Sequence, residues 1–205
     1  MKQFIRIMLI ALLSTQLYAG EGYLENSLNV GDKAKNFSLP NVNGKKVKLS
    51  DLLKDGPVIL SFYRGGWCPV CNSQLREYQK HLSKFKKLGA TLVAVSPETP
   101  TSAAQTMFNN QMQFLVLSDK SNKVAKKYGI LWEIPKEAQD GFSSWLLKTQ
   151  GKSLKEYNGK EGYLLPIPAT FIINQEREII YAFKDVNYKN RANIEEMLNL
   201  LEERS

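Results

Sequence analysis

The chain of 205 residues has only two cysteines and one histidine, which limits the ways it could be held together. Zinc sites normally take four Cys or His ligands, so a structural zinc site of this kind is excluded. The cysteines, Cys68 and Cys71, close a loop too short to stabilise a fold, so a disulfide scaffold is excluded as well. Low-complexity tracts are absent and aromatic residues reach 10% of the chain, which excludes a disordered protein.

Long hydrophobic runs are also absent, and the apolar stretch at 7–13 is too short to span a membrane. Lys2 and Arg6 precede it and small residues follow, the layout of a signal peptide over residues 1–19. No cysteine follows this stretch, which excludes a bacterial lipoprotein. We therefore expect a periplasmic or secreted protein with one domain, residues 20–205, and no stable membrane insertion after signal removal.

Positive charge is in excess, with 28 Lys and Arg against 20 Asp and Glu, but it is dispersed. The densest group, residues 84–87, falls at the end of a predicted helix, where cations offset the helix dipole. No basic patch is interleaved with aromatic residues, so we expect no nucleic-acid partner.

Hydrophobic periodicity predicts alternating strands and helices from residue 58 onward. Residues 58–63 form a continuous apolar run typical of a strand buried on both faces, and a helix with apolar residues at helical spacing follows from Pro69. An N-terminal hairpin, two late strands and a final helix complete the pattern. The sequence predicts an α/β fold with a central mixed sheet and helices on both faces.

The stretch at 131–165 interrupts this alternation and shows no strand signal. It contains Trp132 and Trp145, four glycines and many polar residues. Connections of this length are uncommon in compact domains and are often functional lids. A surface excursion that packs its own tryptophans is the equally weighted alternative.

The segment Trp67-Cys68-Pro69-Val70-Cys71 carries the chemistry. Proline is favoured at the first position of a helix, so Cys68 is the predicted N-cap, where backbone amides and the helix dipole stabilise a thiolate. Cys71 lies one turn later, within reach of a disulfide, and the Gly65-Gly66 pair permits a tight turn before the helix. The pattern indicates reversible dithiol chemistry, with Trp67 covering one side of the pair and neither metal nor cofactor required.

The sequence resembles the alkyl hydroperoxide reductase/thiol-specific antioxidant group, the peroxiredoxin-like branch of the thioredoxin-fold superfamily. The matching segments are 30–40, 62–76, 93–97, 168–174 and 185–191. The resemblance implies a thioredoxin-like fold with a peroxiredoxin-type N-terminal extension, an insertion at 131–165, and an antioxidant oxidoreductase.

The motif departs from that family in ways that leave the reaction open. Peroxiredoxins show Phe-Tyr-Pro-x-x-x-Thr-x-x-Cys; counted from Phe62, Cys71 holds the peroxidatic position, Cys68 replaces the threonine and Arg64 the proline. Pro168 stands about where the family has an arginine. The dithiol and the pair Ile167-Pro168 look like thioredoxin instead, which holds that proline cis. Arg64 supplies positive charge near the sulfurs or lies on the surface.

Three functions follow. The first is a peroxidase in which Cys71 attacks a hydroperoxide, Cys68 resolves the sulfenic acid and a thioredoxin-like donor reduces the disulfide. The second is thiol–disulfide exchange on exported proteins, begun by Cys68 and resolved by Cys71. The third is a non-catalytic thioredoxin-fold module that binds a partner through the 131–165 insertion.

Overall fold

The computed structural model describes residues 22–160 and 162–204. The predicted signal peptide, residues 1–19, lies outside the described residues. In the described part of the chain, no helix has both the length and the apolar character needed to span a bilayer.

Nine strands and seven helices follow one another along these residues. The strands are β1 (Ser38–Pro40), β2 (Lys46–Lys48), β3 (Val58–Phe62), β4 (Thr91–Ser96), β5 (Leu115–Ser118), β6 (Leu131–Glu133), β7 (Leu164–Pro166), β8 (Ala169–Ile173) and β9 (Ile179–Lys184). The helices are α1 (Leu49–Leu52), α2 (Pro69–Lys87), α3 (Pro100–Asn109), α4 (Lys123–Lys127), α5 (Lys136–Gln150), α6 (Leu154–Asn158) and α7 (Ile194–Glu202).

Five strands form the central mixed sheet, in the order β5-β4-β3-β8-β9. β3 runs parallel to β4 and β4 parallel to β5, whereas β8 is antiparallel to both of its neighbours, β3 and β9. β3 and β8 are buried at every position because both faces of the sheet are covered. The predicted mixed sheet is confirmed.

Two apolar cores lie on opposite faces of this sheet. One packs α2, α3 and α7 against side chains such as Ile59, Leu92 and Ile172. The other packs the β1–β2 hairpin, α1 and α4 against the alternate side chains, including Leu60 and Phe171. This alternation follows from the two-residue period of a strand, and it places helices on both faces as predicted.

The stretch at 131–165 differs from the prediction, because it begins and ends with a strand. β6 and β7 pair antiparallel in the register Leu131↔Pro166 and Trp132↔Leu165, and α5 and α6 lie between them. Strands of three residues are too short to show an alternating pattern, so hydrophobic periodicity could not predict them.

Candidate active site

The dithiol lies where β3 ends and α2 begins. Cys68 is the N-cap of α2, with an extended backbone, and Pro69 is the first helical residue, as predicted. Cys71 lies within the first turn and has no exposed surface, whereas Cys68 retains 2% of its surface. Both cysteines are free thiols, so the structure represents the reduced protein.

Two glycines shape the turn that delivers Cys68 to the helix. Gly65 has a φ of +148°, in a region that other residues rarely adopt. A Cβ on Gly66 would lie 2.0 Å from Oγ1 of Thr106 on α3, so only glycine permits this approach. The predicted tight turn is therefore confirmed, and its cause at Gly66 is a contact with a distant helix.

Glu98 holds the same turn in place by accepting hydrogen bonds. Its carboxylate is fully buried and accepts four hydrogen bonds, two of them from the turn: Tyr63 Oη at 2.9 Å and the Gly66 amide at 3.1 Å. Thr106 and Ser96 donate the other two, at 2.9 and 3.3 Å. Burial raises the pKa of Glu98, and these hydrogen bonds offset part of that effect. Glu98 thus ties the dithiol turn to the loop after β4.

The two thiols have opposite acidities. The pKa of Cys68 is lowered from 9.0 to about 6, chiefly by a hydrogen bond with the Cys71 thiol, then by the Cys71 amide and the charges of Arg64 and Arg191. Burial acts in the other direction on Cys68 but does not prevail. Burial and the neighbouring Cys68 raise the pKa of Cys71 well above its ordinary value. Cys68 is therefore the thiolate at neutral pH.

Two arginines bring positive charge to the thiols. Arg64 is 8% exposed, and its guanidinium stacks over the rings of Tyr188 at 4.6 Å, Trp67 at 5.1 Å and Trp132 at 5.7 Å. Arg191 approaches from the loop before α7, with Nη2 3.7 Å from Sγ of Cys71. Of the two placements considered for Arg64, the structure shows a buried side chain near the dithiol.

A pocket of about 570 Å³ opens beside the dithiol, and Cys68, but not Cys71, lines it. Its walls are mainly aromatic. The rings belong to Trp67, Trp132, Phe142, Trp145 and Tyr188. Trp67 contacts Phe142 edge-on at 5.2 Å and Trp145 at 6.3 Å, so α5 closes one wall over the dithiol. The 131–165 insertion therefore contributes directly to the site.

A model of the AhpC/TSA family matches residues 30–182 of the chain. The chain belongs to the AhpC/TSA family. This agrees with the resemblance carried by the motif around Cys68 and with the thioredoxin-like sheet.

Relatives of two kinds are similar to this chain in sequence. The thiol-disulfide oxidoreductase ResA of Bacillus thuringiensis subsp. konkukian is 27% identical over 158 residues, covering 77% of this chain and 86% of that protein. The chloroplastic peroxiredoxin Q of Populus jackii is 33% identical over 103 residues, covering 50% of this chain and 48% of that protein. One relative is a thiol-disulfide oxidoreductase and the other a peroxiredoxin, and this AhpC/TSA protein is an oxidoreductase.

Solved structures support the fold. The peroxidoxin BcpB of Mycobacterium tuberculosis superposes with a TM-score of 0.68 at 22% identity, covering 87% of this chain and 99% of that one. The predicted peroxiredoxin-like, thioredoxin-type architecture is confirmed.

The resemblance of Ile167-Pro168 to thioredoxin implied a cis peptide bond before Pro168, and this expectation is wrong. The described residues contain no cis peptide bond, so the bond before Pro168 is trans. The amide of Ile167 donates to the carbonyl of Ile130 at 2.7 Å, beside the β6–β7 ladder. A trans Pro168 therefore lies in the two-residue connection between β7 and β8.

His81 lies away from the dithiol, and the described acidic residues form no metal site with it. His81 lies on α2, ten residues beyond Cys71, with Nδ1 3.0 Å from the carbonyl oxygen of Glu77. Within residues 22–160 and 162–204, no three His, Cys, Asp or Glu side chains are grouped to hold a metal.

Sequence reasoning missed several residues of the site. Glu98, Arg191, Phe142 and Tyr188 were given no role. Arg191 lies in the segment 185–191, which carries the family resemblance, and Glu98 directly follows the segment 93–97, which also carries it. Their position in or next to a matching segment could have pointed to both residues. Phe142 had no such signal, because only the folding of α5 brings it to Trp67.

Proposed function

We propose that this AhpC/TSA protein is an exported thiol–disulfide oxidoreductase in which Cys68 is the nucleophile and Cys71 resolves the mixed disulfide. One observation carries the proposal: Cys68 lines the pocket and has its pKa lowered to about 6, whereas Cys71 is fully buried with a raised pKa. Thiolates, rather than thiols, attack disulfides.

The reaction takes two displacements. The Cys68 thiolate attacks one sulfur of a substrate disulfide, a mixed disulfide forms, and the other substrate sulfur leaves as a thiolate. Cys71 then loses its proton and attacks Sγ of Cys68, which releases the second substrate thiol and leaves a Cys68–Cys71 disulfide. The substrate gains two electrons, and a thioredoxin-like dithiol returns them to the protein.

Neighbouring charges help the second displacement. Cys71 must ionise to attack, and its burial opposes ionisation. The guanidinium of Arg191, 3.7 Å from Sγ of Cys71, stabilises the thiolate when it forms. Forming the mixed disulfide also removes the negative charge of Cys68, which otherwise raises the pKa of Cys71.

Peroxide reduction, the first function predicted from the sequence, is the second candidate. The observation that favours it is Arg191 beside Cys71, the cysteine in the peroxidatic register. In that reaction Cys71 takes the peroxide oxygen to form a sulfenic acid and Cys68 resolves it. The full burial of Cys71 counts against it as the first nucleophile.

The export part of the proposal rests on the N-terminal pattern of residues 1–19. The periplasm and the extracellular space are oxidising, so they would contain disulfide substrates. The reductant of this protein would have to be present in the same compartment.

Single-cysteine variants test the order of attack. We expect Cys71→Ser to accumulate a mixed disulfide on Cys68 when mixed with a disulfide, visible by mass spectrometry, and Cys68→Ser to form almost none. The doubly substituted protein is the control for non-specific labelling. A rapid, trappable sulfenic acid on Cys71 in the Cys68→Ser protein, together with no mixed disulfide on Cys68 in the Cys71→Ser protein, would instead support the peroxidase.

A further inference from the structure

The pocket beside Cys68 has a composition suited to one kind of ligand. All three tryptophans of the chain, Trp67, Trp132 and Trp145, line it, together with Phe142 and Tyr188. Aromatic walls of this kind bind flat or branched apolar groups through a large contact area. The walls come from three separate segments: the dithiol turn, the insertion and the loop after β9.

Size and depth favour a small molecule over a folded protein. The volume of about 570 Å³ lies within the range of roughly 300–1,000 Å³ typical of small-molecule pockets. Cys68 lines this pocket and is 2% exposed. A folded protein would have to bring its disulfide to an almost fully buried sulfur, whereas a low-molecular-weight disulfide is small enough to enter the pocket.

Charge adds a second element of recognition. Among the described residues, Arg64 is the one cationic side chain in the lining, and its charge is among the causes that lower the pKa of Cys68 beside it. Its guanidinium is 8% exposed and stacked on three rings, and no carboxylate is recorded as its ion-pair partner in residues 22–160 and 162–204. A cation in such apolar surroundings attracts an anionic group more strongly than a surface arginine does.

We propose that this pocket binds low-molecular-weight disulfides that carry an aromatic or branched apolar group and an anionic group next to the sulfur attacked by Cys68. The inference rests on the proposed function and adds its substrate class. The apolar group lies against the α5 wall at Phe142 and Trp145, and the anion faces Arg64. The Cys68 thiolate forms the new S–S bond, the substrate S–S bond breaks, and the second substrate thiolate leaves.

Binding is measured without chemistry in the Cys68→Ser protein. Because all three tryptophans line the pocket, their fluorescence reports its occupancy. We expect 2-naphthoate to bind several times more tightly than the neutral 2-naphthamide. Phe142→Ala should weaken naphthoate binding by about fivefold to tenfold through the lost ring contact.

Two further variants separate pocket binding from general loss of structure. Leu147→Ala changes an exposed apolar residue on the same helix that does not line the pocket, and it should bind naphthoate as the parent does. Ala138→Phe fills the pocket from α5 without removing any contact, and it should also weaken binding. Equal binding in all variants, or equal binding of naphthoate and naphthamide, would overturn the proposed recognition.

Rates measure the same preference in the Cys71→Ser protein, where Cys68 is the one remaining thiol. The probes are 5,5′-dithiobis(2-nitrobenzoate), an aromatic anion, and cystamine, an aliphatic cation. For each probe, the reaction rate of the Phe142→Ala variant is divided by that of the parent. This ratio does not depend on how readily the leaving thiolate of that probe departs. We expect Phe142→Ala to slow the aromatic probe about fivefold and cystamine less than twofold.

The two proposals fail in different ways. If naphthoate binds as expected but Cys68 forms no mixed disulfide, the pocket recognition holds and the proposed function fails. If Cys68 exchanges disulfides but Phe142→Ala slows both probes equally, the function holds and the substrate class is wrong. An oxidised, unfolded polypeptide that reacts faster than the aromatic probe would also overturn the substrate class.

Discussion

Two chemically identical thiols, three residues apart, differ in this protein because of what surrounds them. The Cys71 thiol and amide and the charges of Arg64 and Arg191 lower the pKa of Cys68, which lines the pocket. Cys71 is enclosed by the core, and its ionisation is opposed by the nearby Cys68. The asymmetry assigns one sulfur to attack and the other to resolution.

Removing the charge of Arg64 should raise the pKa of Cys68. Arg64→Met keeps an apolar chain against the aromatic rings but removes the cation that lowers this pKa. The pH midpoint of Cys68 alkylation by iodoacetamide should therefore move upward from about 6. At pH 6 the alkylation rate would fall roughly fivefold for the first pKa unit gained. Arg64→Lys retains the charge and should keep its midpoint near the parent value, and identical profiles for both variants would contradict the role of charge.

At the scale of elements, the dithiol depends on how closely the turn before α2 approaches α3. An added methyl group at Gly66 would collide with Thr106. Gly66→Ala should therefore destabilise the protein by about 1–3 kcal/mol and slow the reaction of Cys68, because the turn must move. Urea denaturation measures the first effect and alkylation rates the second.

A glycine on α5 provides the matched control. Gly141 lies inside the helix, and an added Cβ would meet no atom within 4 Å. Gly141→Ala should stabilise the protein by roughly 0.5–1 kcal/mol, since alanine favours the helix. Destabilisation by both substitutions to the same extent would show that crowding at Thr106 is not the cause.

Elements with strong periodicity could be predicted from the sequence. The apolar run of β3 and the helical spacing of Leu75, Tyr78, Leu82 and Phe85 in α2 have single clear interpretations. The strands β6 and β7 could not be predicted, because three residues carry no period and only their pairing across 30 residues stabilises them. Likewise the dithiol is visible as a local motif, whereas Glu98 and Arg191 reach it through tertiary contacts.

For the whole molecule, the lowered pKa of Cys68 links stability to pH in the reduced state. The pKa of Cys68 is about 6 in the folded protein, and its ordinary value is 9.0. Between pH 6 and 9 this thiol is therefore protonated in the unfolded chain and ionised in the folded protein. Stability from this thiol is thus fully present above pH 9 and lost as the pH falls toward 6.

We expect the unfolding free energy of the reduced protein to rise between pH 6 and 9 more steeply than that of Cys68→Ser. The difference should reach up to about 1.4 kcal/mol per pH unit. Urea denaturation at pH 6, 7 and 8 under reducing conditions provides the measurement. The oxidised protein, denatured without reductant, has no Cys68 thiolate, so its stability should change with pH as that of the variant does. Parallel curves for reduced parent and Cys68→Ser would show that this thiolate does not stabilise the fold.

The pairing of β6 with β7 has a consequence for how the protein can be altered. It brings Leu131 and Pro166 into register, so the excursion between them leaves and rejoins the domain at one place. Loop-closure entropy changes slowly with length, so the excursion can be lengthened at little entropic cost, provided that Leu146 and Leu154 keep their places in the core. Changes within this insertion could therefore alter the pocket lining, and with it the substrate, while the dithiol stays the same.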